Sequence, residues 1–248
     1  MAELIVCIPD VHVPYQHPRA IRAVTAMIGA VKPDRVIQLG DFLDMKAPAR
    51  WSRGNQAEYM AGVEKEAAEG VRVLSEIRSV YDGPFDYITG NHEARLSAYI
   101  HQYAPALNGV VPTLGQLLRL DEMGIKRREQ PFKVAPGVVA IHGVKLSSTQ
   151  GAAGQSAFKE RVRHGKSVVQ GHTHRLGVGF DTADRTRFWL ECGWLGDIRK
   201  ADYLSFTGLA NWQMGFAALI ADGSHITPIP VPVRNDGSFY FERKEYRG

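Results

Sequence analysis

Five short apolar runs, each closed by the same kinds of residue, constrain this chain more than anything else in it. LIVCIPDVH starts at Leu4, DRVIQLGDFLD at Asp34, FDYITGNHE at Phe85, GVVAIHG at Gly137 and SVVQGHTH at Ser167. Each carries clustered Val, Ile or Leu, the pattern of a strand buried on both faces of a sheet. Each then ends in Asp, Asn or His, and Gly40, Gly90, Gly143 and Gly171 stand beside those residues. A glycine there lets the backbone turn sharply or approach a ligand closely. Residues just beyond the carboxyl ends of strands in an α/β sheet share one crevice. The runs therefore predict a layered α/β fold that delivers acids, an amide and imidazoles toward one place.

The segments between the runs read as helices. From Pro18 to Val31, apolar residues fall at Ile21, Val24, Ile28 and Val31. From Ala57 to Val80, Met60, Val63, Ala67, Val71, Leu74 and Ile77 form one stripe at helical spacing. A helix follows Glu93, and another lies near Thr113 to Leu120 with Thr113 as its N-cap. Ser147 to Gly165 reads as a loop running into a helix. Beyond residue 187 the pattern turns β-rich, with RFWLEC, GFAALIADG and HITPIPVPV. Asp222-Gly223 signals a hairpin. Pro228, Pro230 and Pro232 push the last run to a sheet edge or an extended tail. No linker splits the chain, so residues 1–248 read as one domain.

Composition excludes several classes. With 44% hydrophobic and 23% charged residues, disorder is not the dominant state. Two cysteines are too few for a disulfide framework. No stretch approaches the roughly 20 apolar residues of a membrane span. The opening apolar run follows Glu3 and reads as a strand, not a signal peptide. A cytoplasmic protein with no membrane partner is the expectation. The net charge of +4 suits an anionic substrate without arguing for nucleic acid by itself.

Taken singly, each strand-end motif has an ordinary explanation. Asp10 and His12 form a spacing that recurs by chance, Asp41 fits an N-cap, and Asp44 and Asn91 fit turns. His142 alone fits a strand-end histidine. His172 and His174 are more pointed, because alternate residues after a strand project to one side. Together, at successive strand ends, they form a metal-binding constellation. His17, His101, His164 and His225 fall outside it and read as surface or packing residues.

In order, Asp10-Val-His12, Gly40-Asp41-Phe-Leu-Asp44, Gly90-Asn91-His92-Glu93, His142-Gly143 and Gly171-His172-Thr-His174 resemble the signatures of the calcineurin-like metallophosphoesterase superfamily. The resemblance implies a two-sheet β-sandwich flanked by helices, with residues 187–248 completing the second sheet and a C-terminal tail. It also implies two divalent transition-metal ions, one held by Asp10, His12, Asp41 and His174, the other by Asp41, Asn91, His142 and His172, with Asp41 bridging. An oxygen and nitrogen ligand set without thiolate suits manganese first, with iron, zinc, nickel or cobalt as alternatives. The implied activity is hydrolysis of a phosphoester by hydroxide bound at the dinuclear centre, with His92 protonating the leaving group. Asp44 is either the hydrogen-bond partner of His92 or a cap of the following segment.

Departures from subfamily patterns leave the substrate open. Met45 stands where protein phosphatases of the superfamily carry an arginine, and Asp44 stands where Mre11-like nucleases carry a histidine. Glu191-Cys192-Gly193-Trp194 replaces an Asn-Pro-Gly-Ser stretch, and Cys192 reads as a small packing residue. The loop MKAPARWSRGNQ holds Lys46, Arg50, Trp51 and Arg53, while Arg95 and Lys145 follow the third and fourth motifs. Arg50, Trp51 and Arg95 are candidate contacts to a nucleotide, or part of a solvated basic loop. Phosphodiesters, cyclic or small nucleotides foremost, lead as substrates. A DNA or RNA nuclease is the alternative, followed by a phosphomonoesterase and a non-catalytic metal-binding scaffold.

Overall fold

Strands β1 (Glu3–Ile8), β2 (Arg35–Gln38) and β3 (Phe85–Ile88) of the computed structural model are short because each has only to cross a core and stop at the site. The structure describes residues 2–60, 62–144, 151–184, 186–200 and 211–248. Further strands are β4 (Ile125–Arg128), β5 (Phe132–Ala135), β6 (Val138–Ile141), β7 (Ser167–Gln170), β8 (Leu176–Phe180), β9 (Phe188–Cys192), β10 (Gly215–Asp222), β11 (His225–Pro232), β12 (Phe239–Phe241) and β13 (Lys244–Tyr246). The helices are α1 (Pro18–Val31), α2 (Gln56–Met60), α3 (Val63–Val80), α4 (Ala94–Tyr103), α5 (Leu114–Leu117) and α6 (Gln155–His164).

One sheet runs β11-β10-β1-β2-β3-β4, the other β5-β6-β7-β9-β8, and β12-β13 form a separate hairpin. The strands β1 to β4 are parallel, as are β6, β7 and β9. The alternation on β1 explains the sandwich. Ile5 and Cys7 join Ile37, Ile88, Val169, Leu190 and Cys192 between the two sheets. Val6 and Ile8 face the other way, onto Ile21, Val24 and Ile28 of α1 and Leu74 and Ile77 of α3. Apolar on both faces, the strand has no solvent side, which is why its sequence is a continuous run. On the far side, α6 packs against β7 and β9. The layered α/β architecture is as the sequence predicts.

Helix α1 spans the expected residues, with His17 capping it through Nδ1. Thr113 caps α5 in a reciprocal capping box with Gln116. The Asp222-Gly223 turn joins β10 to β11, and the proline-bearing β11 lies at the sheet edge. Two expectations need correction. The stripe from Ala57 to Val80 is not one helix, because the chain is extended at Gly62, which starts α3 afresh. Residues 187–248 do not simply complete the second sheet. Only β9 joins it, whereas β10 pairs antiparallel with β1 in the first. The reason is visible in β10: Ala217 and Leu219 fill the inter-sheet layer while Phe216 and Ala218 face the helix layer, so it suits a sheet covered on both faces. The loop at 147–150 lies outside the described residues.

The strand ends Ile8, Gln38, Ile88, Ile141 and Gln170 are each followed within a few residues by a motif, three from one sheet and two from the other. Leu74, fully buried between α3 and the first sheet, holds the layer under these ends. Its truncation in Leu74→Ala is expected to cost about 2–5 kcal/mol, read as a lowered urea midpoint with an unchanged slope.

Candidate metal centre

Backbone strain marks the site before its side chains do. His12, Asp41, Met45, His172 and His174 all have positive φ, at 52°, 49°, 50°, 68° and 56°. Left-handed backbone at a non-glycine residue costs of order 1 kcal/mol or more and persists only where surroundings enforce it. Here they do. The amides of Val11 and His12 donate to the Asp41 carbonyl, and Leu195 donates to that of Asp10. Gly40 and Gly90 let two loops touch. A Cβ on Gly40 would meet Gly90 Cα at 2.8 Å, and one on Gly90 would meet the Asp41 amide nitrogen at 2.2 Å.

A buried carboxylate ties the same loops together. Glu93 accepts hydrogen bonds from the amides of Asp41, Phe42, Leu43 and Gly90 and from the Tyr87 hydroxyl, at 2.5–3.2 Å. Burial and the charge of Asp41 push its acidity down, raising its pKa. The sequence reading quoted Glu93 within a motif but gave it no role. Its signal is an acid directly after the third strand end, with Tyr87 two residues inside the strand.

Among the described residues the side chains form three groups, His12–Asp44–His92 and two further triads. In one, His174 Nε2 lies 3.4 Å from Asp10 Oδ1 and 2.9 Å from His12 Nε2. In the other, His142 Nε2 lies 3.1 Å from Asp41 Oδ2 and 3.2 Å from His172 Nδ1, with Asn91 Oδ1 at 2.9 Å. The ligand atoms of each triad, Asp10–His12–His174 and Asp41–His142–His172, lie within 4.8 Å of one another. Asp41 Oδ2 is also 3.9 Å from His12 Nε2, so it stands between the triads. The fold thus brings Asp10, His12, Asp41, Asn91, His142, His172 and His174 together.

Donor chemistry tests whether a metal fits. His142 Nδ1 lies 2.9 Å from the Leu39 carbonyl, which can only accept. Nδ1 therefore carries a proton, and Nε2 faces a carboxylate oxygen, an amide oxygen and a second imidazole. His12 repeats this, with Nδ1 donating to Asp44 Oδ1 at 3.0 Å and Nε2 turned to Asp10, Asp41 and His174. Converging acceptors around fully buried carboxylates need a cation among them. Burial drives the His142 pKa down, but Asp41, with Asp10 and Glu93, more than offsets it and holds the ring at about 10. Burial drives His172 to about 4, and His142 pushes it the same way. These His and Asp groups have the donors to hold metal ions.

His92 stands beside the triads. Its Nδ1 is 2.8 Å from the Asp44 carbonyl and 3.2 Å from Asp44 Oδ1. Asp44 thus faces both His12 and His92, and those hydrogen bonds overcome burial to hold its carboxyl below the usual range. Arg95 donates to the Asp44 carbonyl at 2.9 Å and to His92 Nε2 at 2.8 Å. Because a guanidinium cannot accept, His92 Nε2 bears the lone pair here. Two tryptophans lie against His174: Trp194, from the Glu191–Trp194 stretch noted in the sequence, stacks on it at 5.1 Å, and Trp212, which the sequence does not single out, meets it edge-on at 4.3 Å. Arg50 and Trp51 lie together on the loop after Asp44, away from the triads but in one groove with Arg95. Cys192 is a buried packing residue. Lys145 lies outside the described residues.

No family model matches the chain. It is 35% identical over 243 residues to the Gene 54 protein of Mycobacterium phage L5, covering 94% of both chains. The Gene 54 protein of Mycobacterium phage D29 matches to the same extent. The chain belongs to this family. Among solved structures it is similar to Vps29 of Chaetomium thermophilum (TM-score 0.53, 11% identity, 99% and 97% of the two chains). Vps29 of Entamoeba histolytica complexed with Zn2+ matches with TM-score 0.51 and 13% identity over 99% and 98%. The chain shares the Vps29 fold, a metallophosphoesterase-like fold of the kind the sequence resemblance implies. Among the described residues no helix is long and apolar enough to cross a membrane.

Glu66 supports this site from beneath: it is buried and accepts from the Met45 amide next to Asp44. Burial raises its pKa from 4.5 to about 7, against the pull of the Met45 hydrogen bond. A carboxyl whose folded pKa exceeds its unfolded one favours the fold below pH 4.5, and that contribution is lost as pH rises through 7. The window spans about 3 kcal/mol at about 1.4 kcal/mol per pH unit. Glu66→Gln is expected to flatten the stability profile between pH 4.5 and 8 in denaturant titrations; parallel profiles for the two proteins would contradict the assignment.

Proposed function

We propose that this protein is a metal-dependent phosphoesterase, acting on phosphodiesters with cyclic or small nucleotides favoured. The observation that carries the reading is that Asp41 lies between two triads of His and Asp side chains, while His92 stands next to them, faced like His12 by Asp44. Asp10, His12, Asp41 and His174 would hold one ion, and Asp41, Asn91, His142 and His172 the other; manganese suits the set best. Two such ions lower the pKa of bound water and neutralise charge on a phosphoryl group.

The chain's own residues do the rest. Asp44 orients His12 through Nδ1, leaving Nε2 to the cluster, as a carboxylate behind a ligating imidazole does. Its carbonyl and carboxylate hold His92 Nδ1 in the same way. In hydrolysis the bond from phosphorus to the leaving oxygen breaks, a bond to a water oxygen forms, and the leaving oxygen takes a proton. His92 is the group that delivers it, through Nε2. Arg95 occupies Nε2 in the free protein, so a phosphoester that draws the guanidinium to its own oxygens frees that nitrogen to take a proton from water and pass it to the leaving oxygen. Arg95 thereby couples anion binding to proton delivery.

Purified protein stripped of metal is expected to hydrolyse nothing, and manganese is expected to restore turnover of a chromogenic diester above that of the monoester. A metal-loaded protein that turns over no phosphoester would leave the scaffold reading. Oligonucleotide cleavage with inert small diesters would favour the nuclease. His92→Ala is expected to keep both ions and lose about 10²–10⁴-fold in kcat; loss of metal would contradict its role. Asp41→Ala is expected to lose most bound metal by elemental analysis, and a variant retaining both ions and normal activity would refute the bridge.

A further inference from the structure

Resting on the phosphoesterase reading, we propose that the groove between residues 46–55 and α4 is a subsite for the nucleobase of a nucleotide whose phosphate sits at the metal cluster. The groove encloses about 220 Å³, below the roughly 300–1,000 Å³ of a pocket for a drug-sized ligand and suited to one flat ring system. Its walls are aromatic rings faced by guanidinium planes. The Arg50 guanidinium lies 3.7 Å from the centroid of Trp51, and that of Arg53 lies 4.4 Å from the centroid of Tyr103. Tyr99 packs on Tyr103 at 5.2 Å. Trp51 is 66% exposed, so its ring is open to a ligand on the side away from Arg50.

Electrostatics and connection favour the same ligand. Neither Asp nor Glu lines the groove among the described residues. Glu58 lies behind it, accepting from the Tyr99 hydroxyl and the Gly54 amide, and fixes the Tyr99 ring. Arg95 lines the groove and also touches His92 and Asp44. A phosphate gripped by Arg95 therefore has its substituent at the mouth of the groove. Stacking on aromatic and guanidinium faces is tolerant of base identity, because every base has a π face. The subsite is thus selective for a base over its absence and weakly selective among bases. A base on a mononucleotide and one within a single strand offer it the same chemistry.

The test measures binding to the metal-loaded protein with methylene phosphonate analogues of AMP and of ribose 5-phosphate, which resist hydrolysis. The analogue carrying the base is expected to bind at least about tenfold tighter, as one stacked base contributes. Trp51→Ala and Tyr103→Ala, on separate elements and each checked for folding by circular dichroism, are expected to lose most of that advantage. Trp51→Phe is expected to recover it. Binding of the ribose analogue stays constant throughout. A short single strand that binds more than tenfold tighter than the mononucleotide assigns the source to a strand; equal binding assigns it to mononucleotides. Equal binding of the two analogues to the unaltered protein, or a full advantage in both alanine variants, overturns the subsite. If a small chromogenic diester is still hydrolysed then, only the subsite falls; if it is not, the phosphoesterase reading falls too.

Discussion

The carboxylates of Asp10 and Asp41 are fully buried and share one cluster with the ring nitrogens of His12, His142, His172 and His174. This is costly to build without a cation, since buried charge needs a partner. The surrounding structure reads as the means of enforcing it. The Leu39 carbonyl and the Asp44 carboxylate take the Nδ1 protons of His142 and His12, which turns both Nε2 atoms inward. Glu93 gathers the amides of two loops so that Asp41 cannot retreat. Left-handed backbone at His12, Asp41, His172 and His174 is the local strain of that arrangement.

The layers supply the rigidity. Because β1, β2 and β3 are apolar on both faces, their register is fixed by two cores at once, one between the sheets and one under α1 and α3. A slip of one residue would exchange those faces. The motif residues therefore leave the sheets at defined heights, from both halves of the sandwich, and meet at its rim. The catalytic candidates Asp44 and His92 lie one step further out, where Arg95 links them to an aromatic and cationic groove.

Much of this was legible in the sequence because it was written in local pattern. Continuous apolar runs marked the doubly buried strands, and a polar residue type repeated at their ends marked the site. The ligand groups followed from five motifs whose order matched a known superfamily. What was not legible depended on long-range contact. Nothing local says that β10 returns to β1, since its alternation suits either sheet. The break at Gly62 hides inside a stripe whose spacing continues through it. Trp212 carries no local signal until the fold lays it, with Trp194, against His174. Arg95 could be named as an anion contact, but its hold on His92 Nε2 needs coordinates.

Electron paramagnetic resonance of the manganese-loaded protein tests the central claim most directly. If Asp41 joins two ions at the roughly 3.5–4 Å of a dinuclear site, titration should end at two manganese ions per chain with an exchange-coupled spectrum. A spectrum of isolated ions at every loading, or saturation at a single ion, would contradict the account.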